Sequence, residues 1–250
     1  MPVIDGPLFS YFGAKWTLGA KLPGPLHRTI VEPFAGSACY ALRHPERDVV
    51  LVERDPHVAR VWRYLLAATP DEIRALPDLE DDQDVADLEV SDGARTLIGF
   101  WLNAGSTGPK RRKSTWAKLG PGYETGGGML VWGEAVRSRI AAAVSRIRHW
   151  TLIEGDYREA PDVSATWFVD PPYQIAGRRY RCSSDAIDFD ELGAWCRSRR
   201  GQIIACENVG ASWLPFRPFG NERPTSTRKR HVEAVWFGGD GQLGLEGFER

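Results

Sequence analysis

The sequence has few residues of the kinds that build metal centres and disulfide frameworks. Its 250 residues include four cysteines, at positions 39, 182, 196 and 206, and no two of them form a CxxC pair. The five histidines are scattered along the chain. Zinc sites and disulfide-stapled domains both need closely spaced ligands or cysteines. The sequence therefore predicts a protein without a metal, whose thiols are reduced and mostly buried.

Long apolar runs and an excess of one charge are also missing. No stretch approaches the roughly 20 apolar residues that cross a membrane, and residues 1–24 contain no uninterrupted apolar core. We therefore expect a cytoplasmic protein with no membrane partner. The formal net charge is -1, so any nucleic acid would have to be held by local basic segments rather than by the overall field.

The glycine fingerprint of dinucleotide-binding enzymes is absent as well. Residues 29–32 form an apolar strand pattern ending in Glu32, and the turn that follows, Pro33-Phe34-Ala35-Gly36-Ser37-Ala38, contains a single glycine. One glycine makes a poor pyrophosphate cradle, which disfavours a nicotinamide oxidoreductase. Small residues still let the backbone approach a ligand, and we expect this turn to lead into a helix that continues through Leu42.

The sequence does contain an apolar run, residues 166–169, that ends in Asp170-Pro171-Pro172-Tyr173. Its aromatic and β-branched residues favour a strand, and the strand must stop at Asp170 because prolines cannot donate in a central strand. In open α/β sheets, ligands bind at that end of the strands. The Asp170 carboxylate and the Pro171 carbonyl could accept both hydrogens of a planar exocyclic amine while Tyr173 stacks on its ring. A strand followed by a polyproline turn is the alternative.

Acidic residues end the other apolar runs too. Residues 49–52 lead into Glu53-Arg54-Asp55, and residues 150–154 lead into Asp156. An acid about 20 residues after the first turn can bind the ribose hydroxyls of a nucleoside, and the spacing does not choose between Glu53 and Asp55. Asp55 could equally begin a helix, and Asp156 could cap the turn that follows it. Several acidic ends at one sheet edge indicate a polar ligand site.

The alternation of strands and helices is interrupted between residues 71 and 133. An acidic stretch, residues 78–92, indicates a solvated loop or helix face rather than a metal site. An apolar segment, residues 94–103, then precedes a basic segment in glycine-rich surroundings. Clustered cations with neighbouring hydroxyls suit phosphate contacts, and a solvated surface loop is the alternative. The candidate DNA-binding residues are Lys110, Arg111, Arg112, Lys113 and Lys118.

The remaining sequence completes an α/β pattern. Residues 134–150 have helical periodicity, and strands and helices alternate after them. This pattern predicts a mostly parallel sheet flanked by helices, in one catalytic domain that an insertion divides. The predicted parts are residues 1–70, the inserted residues 71–133, and residues 134–250.

Taken in order, these motifs resemble the Dam-like family of adenine-N6 DNA methyltransferases, which use S-adenosylmethionine. Tyr11-Phe12-Gly13-Ala14-Lys15 is similar to the family's amino-terminal element, Glu32-Pro33-Phe34-Ala35-Gly36-Ser37 to its cofactor loop, and Glu53-Arg54-Asp55 to its ribose-binding acid. Asp170-Pro171-Pro172-Tyr173 is similar to its catalytic tetrapeptide, and Phe100-Trp101-Leu102-Asn103 stands where its target-recognition insertion begins. The resemblance covers most of the chain. It implies a Rossmann-like methyltransferase fold with a small inserted target-recognition region.

The resemblance also implies which residues would hold S-adenosylmethionine. Tyr11 and Lys15 would flank its methionine part, and the turn after the first strand would line its pocket. Asp55 would bind the ribose hydroxyls, and Asp156 would lie near the adenine. The implied cofactor-binding residues are Tyr11, Lys15, Glu32, Phe34, Gly36, Glu53, Asp55 and Asp156.

The sequence and the resemblance together predict a site-specific methyltransferase that acts on the N6 amine of an adenine flipped out of double-stranded DNA. Asp170 and the Pro171 carbonyl would hold the amine, Pro172 would stiffen the segment, and Tyr173 would stack on the base. RNA adenine and DNA cytosine-N4 methylation remain alternatives, because the tetrapeptide grips an amine rather than a particular ring. A catalytically silent nucleic-acid-binding protein with the same fold is a further alternative.

Overall fold

The computed structural model describes residues 4–103, 105–118, 131–219 and 232–240. The chain divides into two compact units, each built from three segments. Unit 1 comprises Met1–Trp16, Gly36–Glu46 and Asp55–Leu152, and unit 2 comprises Thr17–Ala35, Arg47–Arg54 and Ile153–Arg250. The predicted division at residues 70 and 133 stays a prediction. The glycine-rich part of the predicted insertion, residues 119–130, lies outside the described residues.

Seven strands in the described part of the chain form one sheet. They are β1 Thr29–Glu32, β2 Asp48–Glu53, β3 Thr151–Glu154, β4 Ser164–Val169, β5 Arg200–Asn208, β6 Arg217–Pro218 and β7 Glu233–Gly239. They lie in the order β3-β2-β1-β4-β5-β7-β6. The β1–β2, β1–β4 and β4–β5 pairs are parallel, while β7 is antiparallel to β5 and β6. This order, with one reversed strand beside the last, is that of the methyltransferase variant of the Rossmann-like fold, so the predicted α/β class is confirmed.

The central strands consist of apolar residues that the sheet buries. Every residue of β4 after Ser164 is buried, and Trp167 has no exposed surface. Near-continuous apolar runs of this kind are typical of parallel strands that are covered on both faces. Thr166 is the polar exception, and its hydroxyl lies 2.8 Å from the side-chain oxygen of Gln202 on β5. Its polar group is therefore satisfied inside the sheet.

The helices in the described ranges are α1 Trp16–Gly19, α2 Pro56–Ala67, α3 Pro70–Arg74, α4 Asp92–Trp101, α5 Thr115–Lys118, α6 Glu134–Ile147 and α7 Phe189–Ser198. Proline at the first position favours the start of α2 and of α3. A capping box between Thr69 and Glu72 also begins α3. None of the helices that the structure describes is long and apolar enough to cross a membrane.

An aromatic cluster organises the core of unit 1. Phe9 packs against Trp62 of α2 and Phe100 of α4, with ring centroids 5.7 and 5.2 Å away. The indole nitrogen of Trp101 donates to the carbonyl oxygen of Leu8 at 3.1 Å. These contacts fix the residues just before the predicted amino-terminal element against the helix at which the predicted insertion begins.

The helix predicted through Leu42 is wrong. The chain forms only a short 3-10 turn, Ala41–Arg43, after the loop that follows β1. Gly36 has a φ of 46° and Ala38 a φ of 47°, so both lie in the left-handed region. A right-handed helix cannot pass through such residues. The loop therefore offers no helix amino terminus to a ligand.

The cysteines behave mostly as predicted. Cys39, Cys196 and Cys206 are buried, and Cys182 is half-buried. Burial raises the pKa of the Cys196 thiol to about 12. This thiol therefore stays protonated at neutral pH.

Candidate active site

The carboxyl ends of the parallel strands in unit 2 form the edge at which a ligand site is expected, and we call it the carboxyl edge. Strand β1 lies between β2 and β4, so the chain leaves β1 towards one side of the sheet and returns on its other side. Ligands bind at such a switch point in open α/β sheets. Val31 pairs with Trp167, so Glu32 at the end of β1 and Asp170 just beyond β4 belong to neighbouring strands.

The catalytic tetrapeptide predicted from the sequence follows β4 directly. The strand ends at Val169, as the two prolines require, and Asp170 is half-buried. The hydroxyl of Tyr173 donates to Glu233 Oε2 at 2.5 Å. The backbone N–H of Gln174 donates to Glu207 Oε2 at 2.9 Å. The segment after the strand is thus tied to β5 and β7.

The electrostatic surroundings of Tyr173 keep its phenol neutral. Burial raises the pKa of Tyr173 well above its usual value, and the negative charges of Asp170, Glu233 and Cys206 raise it further. A neutral phenol is a hydrogen-bond donor. The Tyr173 hydroxyl can therefore donate a hydrogen bond to the Glu233 carboxylate across the physiological pH range.

The backbone beyond Tyr173 turns back tightly onto the tetrapeptide. The N–H of Gly177 donates to the Tyr173 carbonyl at 2.6 Å. A Cβ on Gly177 would lie 2.5 Å from the Pro172 carbonyl carbon, closer than real atoms approach. Glycine is therefore required for this close approach.

Unit 2 also contains three of the predicted cofactor residues at the ends of β1 and β2. Glu32 is buried, with 1% of its surface exposed. Phe34 stacks on Tyr157, with ring centroids 5.4 Å apart and planes inclined by 27°. Glu53 is half-buried, and its carbonyl accepts from Gly155 N–H at 3.0 Å. The carboxyl edge therefore presents two carboxylates and an aromatic ring near the switch point.

Asp156 has a structural role in unit 2. Its carboxylate accepts from the Arg158 N–H at 3.2 Å, and Glu159 closes the capping box. Arg54 lies 3.6 Å from the same carboxylate. The structure thus shows the turn-capping alternative for this residue, and its contact with the cofactor adenine stays a prediction.

In unit 1, the second half of the predicted cofactor loop is held by its neighbours. A Cβ on Gly36 would lie 3.4 Å from the Tyr11 ring, and the left-handed φ of Gly36 also favours glycine. The indole N–H of Trp62 donates to the Gly36 carbonyl at 2.7 Å. The structure therefore brings Tyr11 and Gly36 together, and their contact with the cofactor stays a prediction.

Lys15 and Asp55, the remaining cofactor candidates of unit 1, are both buried. The ammonium group of Lys15 donates to the Gly13 carbonyl at 3.0 Å. The carboxylate of Asp55 accepts from the His57 N–H at 2.8 Å and caps α2. Asp55 thus fulfils the helix-cap alternative, while Glu53 at the end of β2 is the more exposed of the two acids.

The basic segment of unit 1 pairs with the acidic stretch of the same unit. Arg111 lies 2.9 Å from Asp84, and Arg112 lies 3.7 Å from the same carboxyl group. Two lysines pair with two further acids, Lys113 with Asp81 at 3.0 Å and Lys118 with Asp82 at 2.6 Å. The hydrogen bond from Lys118 holds the pKa of Asp82 below its usual value.

These ion pairs change the interpretation of two sequence segments. The acidic segment is exposed at Asp81 and Asp82 and also forms ion pairs with the cations, and Lys110 is exposed at the start of the basic segment. A phosphate would have to compete with carboxylates for four of the five candidate cations. The DNA-binding role of this segment stays a prediction.

Sequence reasoning missed Glu207 and Glu233 as site residues. Glu207 ends a strand at the carboxyl edge, so the rule that found Asp170 could also have found it. Glu233 gave no local signal, because its contact with Tyr173 joins residues 60 positions apart. Within the described ranges, no group of three or more His, Cys, Asp or Glu side chains is placed to hold a metal ion.

Comparison with known proteins gives matches among solved structures alone. No family model matches the sequence, and no curated protein matches it. Among solved structures, the chain is similar to the rRNA methyltransferase aviRa from Streptomyces viridochromogenes, at 14% identity and a TM-score of 0.35. The match covers 94% of this chain and 88% of that one. A likeness at this level establishes no shared substrate, and the strand order described above defines the fold.

Proposed function

We propose that this chain is an S-adenosylmethionine-dependent methyltransferase whose substrate is the N6 amine of adenine in DNA. The observation that carries the proposal is the place of Asp170-Pro171-Pro172-Tyr173 in unit 2. The tetrapeptide leaves the carboxyl end of β4, next to Glu32 of β1 at the switch point of the sheet. A carboxylate, a carbonyl and an aromatic ring at that position suit a planar amine.

Each member of the tetrapeptide has a distinct task in this proposal. The ionised Asp170 carboxylate and the Pro171 carbonyl accept the two hydrogens of the amine. This weakens the delocalisation of the nitrogen lone pair into the ring and exposes the pair for reaction. Pro172 limits the backbone freedom of the segment, and the Tyr173 ring stacks on the base. Positioning is then the main catalytic contribution.

The cofactor, when bound, supplies a methyl group on a positively charged sulfur and needs no metal. In unit 2, Glu32, Phe34 and Glu53 would hold it. We assign the ribose hydroxyls to Glu53 rather than to Asp55, because the Asp55 carboxylate is buried as the cap of α2.

DNA is the proposed substrate, and the base has to leave the duplex to reach a carboxylate on a sheet edge. Extruding a base costs roughly a few kcal/mol, which stacking on Tyr173 partly offsets. Phosphates would replace the carboxylate partners of the basic segment in unit 1. This exchange costs little, because exposed ion pairs contribute about 0–1 kcal/mol each.

Transfer of a labelled methyl group tests the proposal directly. The purified protein is incubated with methyl-labelled S-adenosylmethionine and unmethylated genomic DNA or total RNA, and the nucleosides are then separated. We expect labelled N6-methyladenine in the DNA. Label in RNA or in N4-methylcytosine would replace the proposed substrate, and confirmed cofactor binding without label in either polymer would point to a silent binding protein.

Two substitutions test the assigned roles. Asp170→Ala should abolish transfer, and Asp170→Asn should lose most of it because the amide can turn its N–H groups towards the amine. Wild-type turnover by folded Asp170→Ala would contradict the role of the carboxylate. Tyr173→Ala should lose much of the rate on duplex DNA, and equal turnover there would contradict the role of stacking.

A further inference from the structure

We infer that Glu207 and Glu233 are positioning residues, which hold the tetrapeptide in the geometry that methyl transfer needs. Glu233 accepts a hydrogen bond from the Tyr173 hydroxyl, and Glu207 accepts one from the next backbone N–H, that of Gln174. The inference rests on the proposed function of the same site. It adds two carboxylates that neither the tetrapeptide nor the cofactor loop contains. Both belong to strands of unit 2.

Glu207 fixes the backbone just after Tyr173. It lies in β5 with 1% of its surface exposed, so its charge is almost fully removed from water. Its Oε2 accepts from the Gln174 N–H at 2.9 Å and from the indole N–H of Trp213 at 3.2 Å. Its Oε1 accepts from the Asn208 N–H at 2.9 Å. Three N–H donors hold this carboxylate, and one of them is that of Gln174, the residue directly after the tetrapeptide.

Glu233 fixes the far end of the Tyr173 side chain. It begins β7 and pairs in register with Asn208 at the end of β5. Its Oε2 accepts from the Tyr173 hydroxyl at 2.5 Å. Hydrogen bonds to ionised acceptors are shorter and stronger than those between neutral groups. The Tyr173 ring is therefore held at its hydroxyl by β7, while the next peptide group is held by β5.

The two anchors give the ring a fixed plane before substrate arrives. A tyrosine that rotates freely would have to be ordered when the base stacks on it, which costs binding free energy. Anchors on strands are more exact than anchors on loops. The phenolic hydroxyl donates its hydrogen bond to Glu233, while Asp170 acts on Tyr173 through its negative charge.

The first measurement tests the contact without using activity. The seven tyrosines are labelled with carbon-13 at Cζ, and the Tyr173 signal is assigned by its loss in Tyr173→Phe. We expect this tyrosine to ionise at higher pH than exposed ones, since burial and the charges of Asp170, Glu233 and Cys206 oppose its ionisation. Glu233→Gln removes one of those charges and should lower its pKa. An unchanged pKa would overturn the contact.

The second measurement is a double-mutant cycle on the rate. Tyr173→Phe and Glu233→Leu should each lower kcat about tenfold, the size expected for one lost hydrogen bond. The double variant should be no slower than either single one, because both changes delete the same contact. Glu233→Gln should stay within about threefold of the wild type, because its amide oxygen still accepts. The KM for the cofactor should not change.

Trp213→Phe provides a matched control for Glu207. It removes a donor of the same carboxylate but leaves the Gln174 contact in place. Trp213→Phe should therefore lower stability and retain kcat. Glu207→Gln should lower kcat, because Glu207 uses both oxygens as acceptors for Gln174 and Asn208 N–H groups and an amide has only one.

The outcomes separate the inference from the function on which it rests. Additive effects of Tyr173→Phe and Glu233→Leu in an active enzyme, or unchanged kcat in Glu207→Gln, would overturn the positioning role alone. A wild-type protein that transfers no methyl group to any nucleic acid would overturn both.

Discussion

Carboxylates form exposed ion pairs in unit 1, whereas in unit 2 a carboxylate is a buried acceptor of hydrogen bonds. In unit 1, Asp81 and Asp82 are exposed and pair with the ammonium groups of Lys113 and Lys118. In unit 2, Glu207 is buried and accepts three hydrogen bonds from neutral N–H groups. Water can replace either partner of the exposed pairs, but it cannot readily reach the donors around Glu207. Exposure rather than charge therefore decides how much each carboxylate matters.

The largest expected difference between the units is in stability. Glu207→Leu leaves three donors without an acceptor, and we expect it to lower the free energy of unfolding by about 3 kcal/mol. Its counterpart in unit 1, Asp82→Ala, should cost less than about 0.5 kcal/mol. Urea unfolding of both variants measures the two values. Similar losses would remove the distinction between the units.

Alkaline pH sharpens the comparison with one titratable group from each unit, the buried Cys196 and the half-buried Tyr64. Burial raises the pKa of Cys196 in unit 2 and of Tyr64 in unit 1 to about 12 each. A raised pKa means that the folded protein holds the proton longer than the unfolded chain. The associated stability is complete below the ordinary pKa of each group and is lost as the pH rises from there towards about 12.

The alkaline experiment compares Cys196→Ala and Tyr64→Phe with the wild type. The loss from Cys196 should begin near pH 9, its usual pKa, and reach on the order of 2–3 kcal/mol by about pH 11. Cys196→Ala should flatten this part of the curve, whereas Tyr64→Phe should flatten it only from about pH 10 upwards. Unfolding free energies at successive pH values give both curves. Parallel curves for all three proteins would contradict the burial of these groups.

The stability of unit 1 should depend more on the backbone conformation at Gly36 than on the exposed ion pairs. Gly36→Ala places a side chain at a left-handed φ and against the Tyr11 ring, which we expect to cost about 1 kcal/mol of stability. It should also weaken S-adenosylmethionine binding, which calorimetry measures. Gly105→Ala is the matched control, because Gly105 has a similar φ of 56° with nothing within 4 Å of its Cβ position. Equal cofactor affinities of the two variants would exclude a role for the Tyr11 contact.

The smallest expected effect on stability comes from the exposed pairs themselves. Asp81→Asn combined with Asp82→Asn should change the free energy of unfolding by less than about 0.5 kcal/mol. DNA binding should nevertheless become tighter, because Lys113 and Lys118 no longer have to leave a carboxylate in order to contact a phosphate. The slope of the logarithm of the binding constant against the logarithm of salt concentration should become steeper by about 1–2 units. Titrations at several salt concentrations measure the slope. An unchanged slope would indicate that the basic segment does not contact phosphate.

Local sequence patterns predicted the parts of the fold that depend on neighbouring residues. The apolar run before Asp170 formed a buried strand, and the two prolines ended it at the predicted place. The acid at residue 55 was expected either to bind a ligand or to cap a helix, and the structure shows the cap. Features that involve only residues close together in the sequence, such as this strand end and this helix cap, could therefore be predicted from the sequence.

Contacts between distant residues could not be predicted in the same way. The left-handed φ of Ala38, which prevents the expected helix, has no signature in a residue that ordinarily favours helices. The pairing of Lys113 with Asp81 joins residues 32 positions apart, and that of Tyr173 with Glu233 joins residues 60 apart. Composition revealed both kinds of charge, but only the folded chain shows which ones meet.

The pairing of β1 with β4 has a consequence for how the protein folds. Thr166 lies beside Ile30 in the sheet, although the long segment Asp55–Leu152 of unit 1 separates them along the chain. Contacts between residues so distant in sequence form slowly. Bringing the two residues together lowers the conformational entropy of the chain between them before the contact provides any stabilisation. During synthesis, β1 leaves the ribosome long before β4, the strand beside it in the sheet. We therefore expect the carboxyl edge to be among the last parts of the molecule to assemble, with no binding competence in shorter nascent chains.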